Sequence, residues 1–113
     1  MVKIDTIAQE DYHLIQVNGE IDASSSIELD TALKEASENT GKILIDLEQL
    51  EYISSAGLGV FISYLEQLKQ QNIQLIIFGL KEKVLEVFEI LGLQHLMNIK
   101  ENKEEAIKAI NEA

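Results

Sequence analysis

Apolar residues recur along this chain in two rhythms, and the changes between them mark its elements. Val2 to Ile7 and Tyr12 to Val17 are short runs rich in β-branched and aromatic residues. The polar Gln9-Glu10-Asp11 between them makes the pair read as a β-hairpin, with Tyr12, Leu14, Val17, Val2 and Ile4 as its expected buried face. Asn18-Gly19-Glu20-Ile21-Asp22 then has the composition of a turn. Ser25-x-x-Glu28 has the spacing of a capping box, in which each side chain satisfies the other residue's free backbone N–H. A first helix is expected from there, with Leu29, Ala32, Leu33 and Ala36 on one face and Asn39-Thr40-Gly41 as its stop.

Ile43-Leu44-Ile45-Asp46-Leu47 is a nearly unbroken apolar run, which predicts a central strand covered on both faces. Glu48 to Ile53 reads as a linker. Leu58, Phe61, Ile62, Leu65 and Leu68 then predict a second helix, closed by Gln70-Gln71-Asn72. A further strand is expected over Ile73 to Phe78, ended by Gly79, and a third helix with Val84, Val87, Phe88 and Leu91 inward, ended by Gly92. A weak strand at Leu96 to Ile99 and a helix from Lys103 to Ile110 complete the pattern. The alternation implies an α/β fold: a mixed sheet of four to five strands, hairpin first and parallel βα units after it, covered by about four helices. The length of 113 residues suits one domain over residues 1–113.

Between the linker and the second helix lies Ile53-Ser54-Ser55-Ala56-Gly57-Leu58-Gly59, two hydroxyls and two glycines at a helix start. Either serine can cap the helix by accepting from an unpaired N–H of its first turn. Those N–H groups and the helix dipole also favour an anion such as phosphate. The bland alternative is an N-cap and nothing more. Gly57 and Gly59 stand where a helix prefers alanine, each at a cost of about 1 kcal/mol, so a partner, a tight turn or another element is expected to come close there. In an open α/β sheet the loops after the strands gather on one edge, which would bring Asp22, Asp46 and Ser54-Ser55 together. Asp22 also reads as a cap for the first helix, and Ser24-Ser25-Ser26 as a capping cluster that offers alternative phosphate acceptors.

Composition narrows the partners. The 20 acidic against 9 basic side chains give a formal net charge of -11, which repels nucleic acid and anionic membrane surfaces. No apolar run reaches the roughly 18 residues of a membrane span, and Met1-Val2-Lys3-Ile4-Asp5 opens no signal peptide, so a cytoplasmic location is expected. The chain has no cysteine, which removes disulfides and thiolate sites. Its histidines, His13 and His95, are not placed by sequence near Ser55, and G-x-S-x-G is absent, which argues against a serine hydrolase. No lysine follows Gly57-Leu58-Gly59 as it would in a phosphate-binding loop. No enzyme, cofactor or metal site is expected.

Four segments in order carry a family resemblance. Ser54-Ser55-Ala56-Gly57-Leu58-Gly59 resembles the D-S-[ST]-G-L-G motif of bacterial anti-sigma factor antagonists, the stand-alone STAS domains. Gly19-Glu20-Ile21-Asp22 resembles the family's G-E-[LI]-D, Ile43 to Leu47 its central strand, and Ile90-Leu91-Gly92-Leu93 its late helix end. Two positions depart from the motif: Ser54 replaces the aspartate and Ala56 the hydroxyl residue. The resemblance implies partner switching, in which the unphosphorylated form binds an anti-sigma factor that is also a serine kinase, and so frees a sigma factor. It implies phosphorylation on Ser55, with Ser54 as a competing acceptor, reversal by a metal-dependent serine phosphatase, and partner contacts around Asp22, Ser24, Ser54, Ala56, Gly57, Leu58 and Gly59. A monomer or weak dimer is expected. The alternative within the family is a binding module without the phosphoserine switch, in a signalling scaffold or a lipid transport system.

Overall fold

The computed structural model describes residues 2–112. In chain order the elements are β1 (Val2–Ala8), β2 (His13–Ile21), α1 (Ser26–Asn39), β3 (Lys42–Asp46), β4 (Leu50–Ile53), α2 (Ser55–Gln70), β5 (Gln74–Phe78), α3 (Glu82–Ile90), a 3-10 turn (Leu93–His95), β6 (Asn98–Lys100) and α4 (Lys103–Glu112). They form a mixed α/β fold, as the pattern predicts. The six-stranded sheet runs β1-β2-β3-β5-β6, antiparallel between β1 and β2 and parallel beyond. β3 and β4 share one flank of β2: β3 pairs with residues 13–16, β4 with residues 19–21.

That shared flank accounts for two departures from the sequence expectations. Asn18 to Ile21 is strand, not turn, because β1 pairs Asn18 and Gly19 on one side and β4 pairs Gly19 to Ile21 on the other. The turn-like Gly19 is absorbed as an irregularity, with φ 101 and a register shift between Gly19 and Glu20, the local kink that glycine permits in a strand. Correspondingly, Leu50–Ile53, read as linker, is a sixth strand. Its burial runs buried, exposed, exposed, buried, so it carries no clean period-two signal.

Three helices share one face of the sheet. Leu29, Leu33, Phe61, Leu68, Val84 and Phe88 pack with Ile15, Val17, Ile43 and Ile45 into the larger core. Among the described residues α4 is the helix that covers the other face, where Ala106 and Ile110 meet Leu14, Leu44, Ile76 and Phe78. The expected helix faces hold with two exchanges. Tyr64 is buried in α2 in place of Ile62, and its hydroxyl donates to the Asp30 carbonyl of α1 at 3.2 Å. Leu91 lies just past α3 and is exposed. Among the described residues no helix is long and apolar enough to cross a membrane.

Candidate functional site

β2 and β4 run parallel and end together, Ile21 opposite Ile53. The chain leaves β2 into α1 and leaves β4 into α2, so two helix starts lie side by side on the carboxyl edge of the sheet. A hydrogen bond joins them: the Ser54 N–H donates to the Ile21 carbonyl at 2.8 Å. The expected convergence of Asp22 with Ser54 and Ser55 is therefore present, and it follows from the β2–β4 pairing.

At the α1 start the polar groups are consumed locally. The Asp22 carboxylate accepts from the Ser25 N–H at 2.8 Å, the Ser25 hydroxyl at 2.9 Å and the Ser24 hydroxyl at 2.9 Å. These bonds, the Ser25 N–H foremost, hold its pKa down at about 2, because each stabilises the ionised form. The Asp22 N–H donates back to the Ser25 hydroxyl at 2.8 Å, and the Ser26 hydroxyl donates to the Ala23 carbonyl at 2.8 Å. The capping box expected from Ser25 and Glu28 does not form. Ser25 occupies the cap position with no side-chain cap bond, since its hydroxyl is already taken by Asp22, and Glu28 is exposed.

The α2 start is arranged differently. Ser54 is the N-cap, extended at φ -80 and ψ 169, and its hydroxyl accepts from the Gly57 N–H at 3.2 Å. Ser55 is the first helical residue and is exposed. Among the described residues its hydroxyl has no hydrogen-bond partner, and the N–H groups of Ser55 and Ala56 have no acceptor. Ala56 and Gly59 are exposed, whereas Gly57 and Leu58 are buried. A Cβ on Gly57 would sit 2.8 Å from Ile21 Cγ2 and 2.8 Å from Ile53 Cγ1. The bare backbone at Gly57 thus lets α2 seat directly on the ends of β2 and β4. Gly59 has open space where a Cβ would go.

Two exposed apolar side chains flank this edge and carry no signal in the sequence pattern. Ile27, in the first turn of α1, is 67% exposed, and Tyr52, on β4 opposite Glu20, is 51% exposed. A strand residue and a helix residue off the core stripe are indistinguishable from other surface positions until burial is known. At the α3 start, Glu51 of β4 bridges Lys81 at 3.4 Å and Lys83 at 3.3 Å. Lys83 first, then Lys81, pulls the Glu51 carboxyl below its usual value. Asp46 ends β3 and accepts from the Glu48 N–H at 2.9 Å. His13 opens β2 at the end away from Ser55, roughly 26 Å along the strand, and His95 precedes β6, also at the amino edge.

The family model described as the STAS domain matches residues 3–106. An anti-sigma-B factor antagonist from Staphylococcus aureus (strain NCTC 8325 / PS 47) is 34% identical over 104 residues, covering 91% of this chain and 96% of that protein. Among solved structures, an anti-sigma factor antagonist from Mycobacterium paratuberculosis superposes with a TM-score of 0.90 at 18% identity, covering 98% of this chain and 95% of the other. The Bacillus cell fate determinant SpoIIAA in its phosphorylated form superposes with a TM-score of 0.72 at 20% identity, covering 97% and 99%. The chain belongs to the STAS domain family.

Proposed function

We propose that this protein is an anti-sigma factor antagonist that works by partner switching in the cytoplasm, with Ser55 as the phosphorylated residue. The observation that carries the reading is a contrast among neighbouring hydroxyls. Those of Ser24, Ser25, Ser26 and Ser54 are engaged, whereas the Ser55 hydroxyl is exposed and without a partner among the described residues. The name of the S. aureus relative supports the antagonist role, and the phosphorylated form of SpoIIAA supports a phosphate on this fold.

In this reading the anti-sigma factor docks on the carboxyl edge. Asp22, Ser24, Ser54, Ala56 and Gly59 present contact groups, and buried Gly57 and Leu58 seat the helix beneath them. The same partner, as a serine kinase, transfers the γ-phosphoryl of ATP to Ser55 Oγ, whose proton passes to a base on the kinase. The protein itself performs no catalysis. The phosphate brings about -1.5 to -2 charges, held by the unpaired N–H groups of the first turn and by the helix dipole. The fold is kept while the docked surface is lost to desolvation and steric conflict. A metal-dependent phosphatase reverses the step.

Incubation with ATP and the cognate kinase, followed by mass-spectrometric mapping, tests the proposal. Phosphate on Ser55, and none on the Ser55→Ala variant, is expected. Phosphate on Ser54 alone, or none with normal switching, would sink it. The replacement of the family aspartate by Ser54 favours a second reading, a constitutive binding module, for which Ser55→Asp leaves partner affinity unchanged.

A further inference from the structure

The two ends of the sheet are finished unlike each other. β1 is a seven-residue edge, while β6 is a three-residue edge, three strands from β2, that pairs only with β5 among the described residues. The Lys100 carbonyl accepts from the Gly79 N–H on the β5 side, so on the outer flank of β6 it is the Ile99 N–H and C=O that have no strand partner among the described residues. A cavity opens on each face of this short edge. Toward α3 it measures about 560 Å³, with Leu80, Leu85 and Ile99 lining it and Glu82 and Glu89 at its rim. Toward α4 it measures about 350 Å³ and is lined by Ile99, Ala109, Glu105 and Glu112. Both cavities share Ile99, Lys100 and Glu101.

We propose that the β6 edge binds an extended basic segment of a partner protein, which adds as a further strand with its alternate side chains directed into the two cavities. Successive side chains of a strand point to opposite faces, so cavities on both sides of one free edge match the period of an added strand. The charge selects the occupant. Glu82, Glu89, Glu101, Glu105 and Glu112 face Lys100 and Lys108 around the edge, leaving an acidic rim over half-buried aliphatic surface. A segment alternating lysine with aliphatic residues satisfies both requirements. Docking there lies at the opposite side of the sheet from β1, three strands from β2.

The test is an NMR titration of the whole protein with an acetylated, amidated hexapeptide alternating lysine and valine. Amide shifts confined to Leu80 to Glu89 and Asn98 to Glu112 are expected, with a Glu89→Lys/Glu105→Lys variant binding about tenfold more weakly and Glu35→Lys on α1 unchanged. N-methylation of one face of the peptide backbone, which leaves the protein untouched, should weaken binding by a similar factor while methylation of the other face does not. Shifts scattered over α1 and α2, equal weakening by Glu35→Lys, or indifference to N-methylation on either face would overturn the proposal and leave only diffuse attraction to an acidic surface.

Discussion

The two helix starts on the carboxyl edge are built from similar residues and reach opposite ends. Asp22 to Ser26 and Ser54 to Gly57 each follow a strand of the same pair and each open a helix with serines. At α1 a carboxylate lies three residues before Ser25, and it gathers the Ser24 and Ser25 hydroxyls and the Ser25 N–H into a closed turn. At α2 the corresponding work is split between Ser54, which caps, and Gly57, which lets the helix descend onto Ile21 and Ile53. One hydroxyl, that of Ser55, is left over. A free hydroxyl thus arises where the local hydrogen-bonding capacity is one group in excess, and a closed structural turn where it is balanced.

Substitutions at the two starts should separate these roles. The largest effect is expected from Gly57→Ala, because the Ile21 and Ile53 atoms it would strike lie at the stiff, β-branched base of each side chain. A loss of about 1–3 kcal/mol in denaturant unfolding is expected, and an unchanged midpoint would mean that α2 can lift off the strands. Ser54→Ala should cost about 1 kcal/mol as a lost cap. Gly59→Ala should run the other way, with a gain of about 0.5–1 kcal/mol, since its Cβ meets nothing within 4 Å. Ser55→Ala should shift stability by less than about 0.5 kcal/mol while removing the proposed phosphate acceptor, and this separation of stability from modification is what the proposed role of Ser55 requires.

The smallest expected effect is in the acid range. The folded carboxyl of Asp22 titrates at about 2, below its ordinary 3.8. A depressed folded pKa contributes stability that is present above the unfolded value and lost as the pH falls through the folded one. Unfolding curves for the native chain should therefore drop between about pH 4 and pH 2 more than those for Asp22→Asn, which has no charge to lose there. Identical pH profiles would show that the Asp22 turn opens before the carboxyl protonates.

Much of this was legible in the residues. The helix stripes, the strands over Ile43 to Leu47 and Ile73 to Phe78, and the helix start at Ser54-Ser55 follow from periods that each segment carries in itself. β4 was not legible, since Leu50–Ile53 has too few buried positions to show a period, nor was the strand character of Asn18 to Ile21, which exists because two neighbours pair it. Ile27 and Tyr52 stayed invisible for the same reason: exposure is a property of what does not pack against a residue.

By itself, then, the sequence determined the order and kind of most elements and the presence of reactive groups at one helix start, because helix and strand periodicity and capping are interactions within a few residues. Only the tertiary structure decided that β4 lies beside β2, that Gly57 serves the packing of α2 on two strand ends, and that Ser54 caps while Ser55 remains free. Those outcomes depend on which donors and acceptors meet across the sheet, and a hydroxyl's availability is set by partners that are distant along the chain as much as by its neighbours.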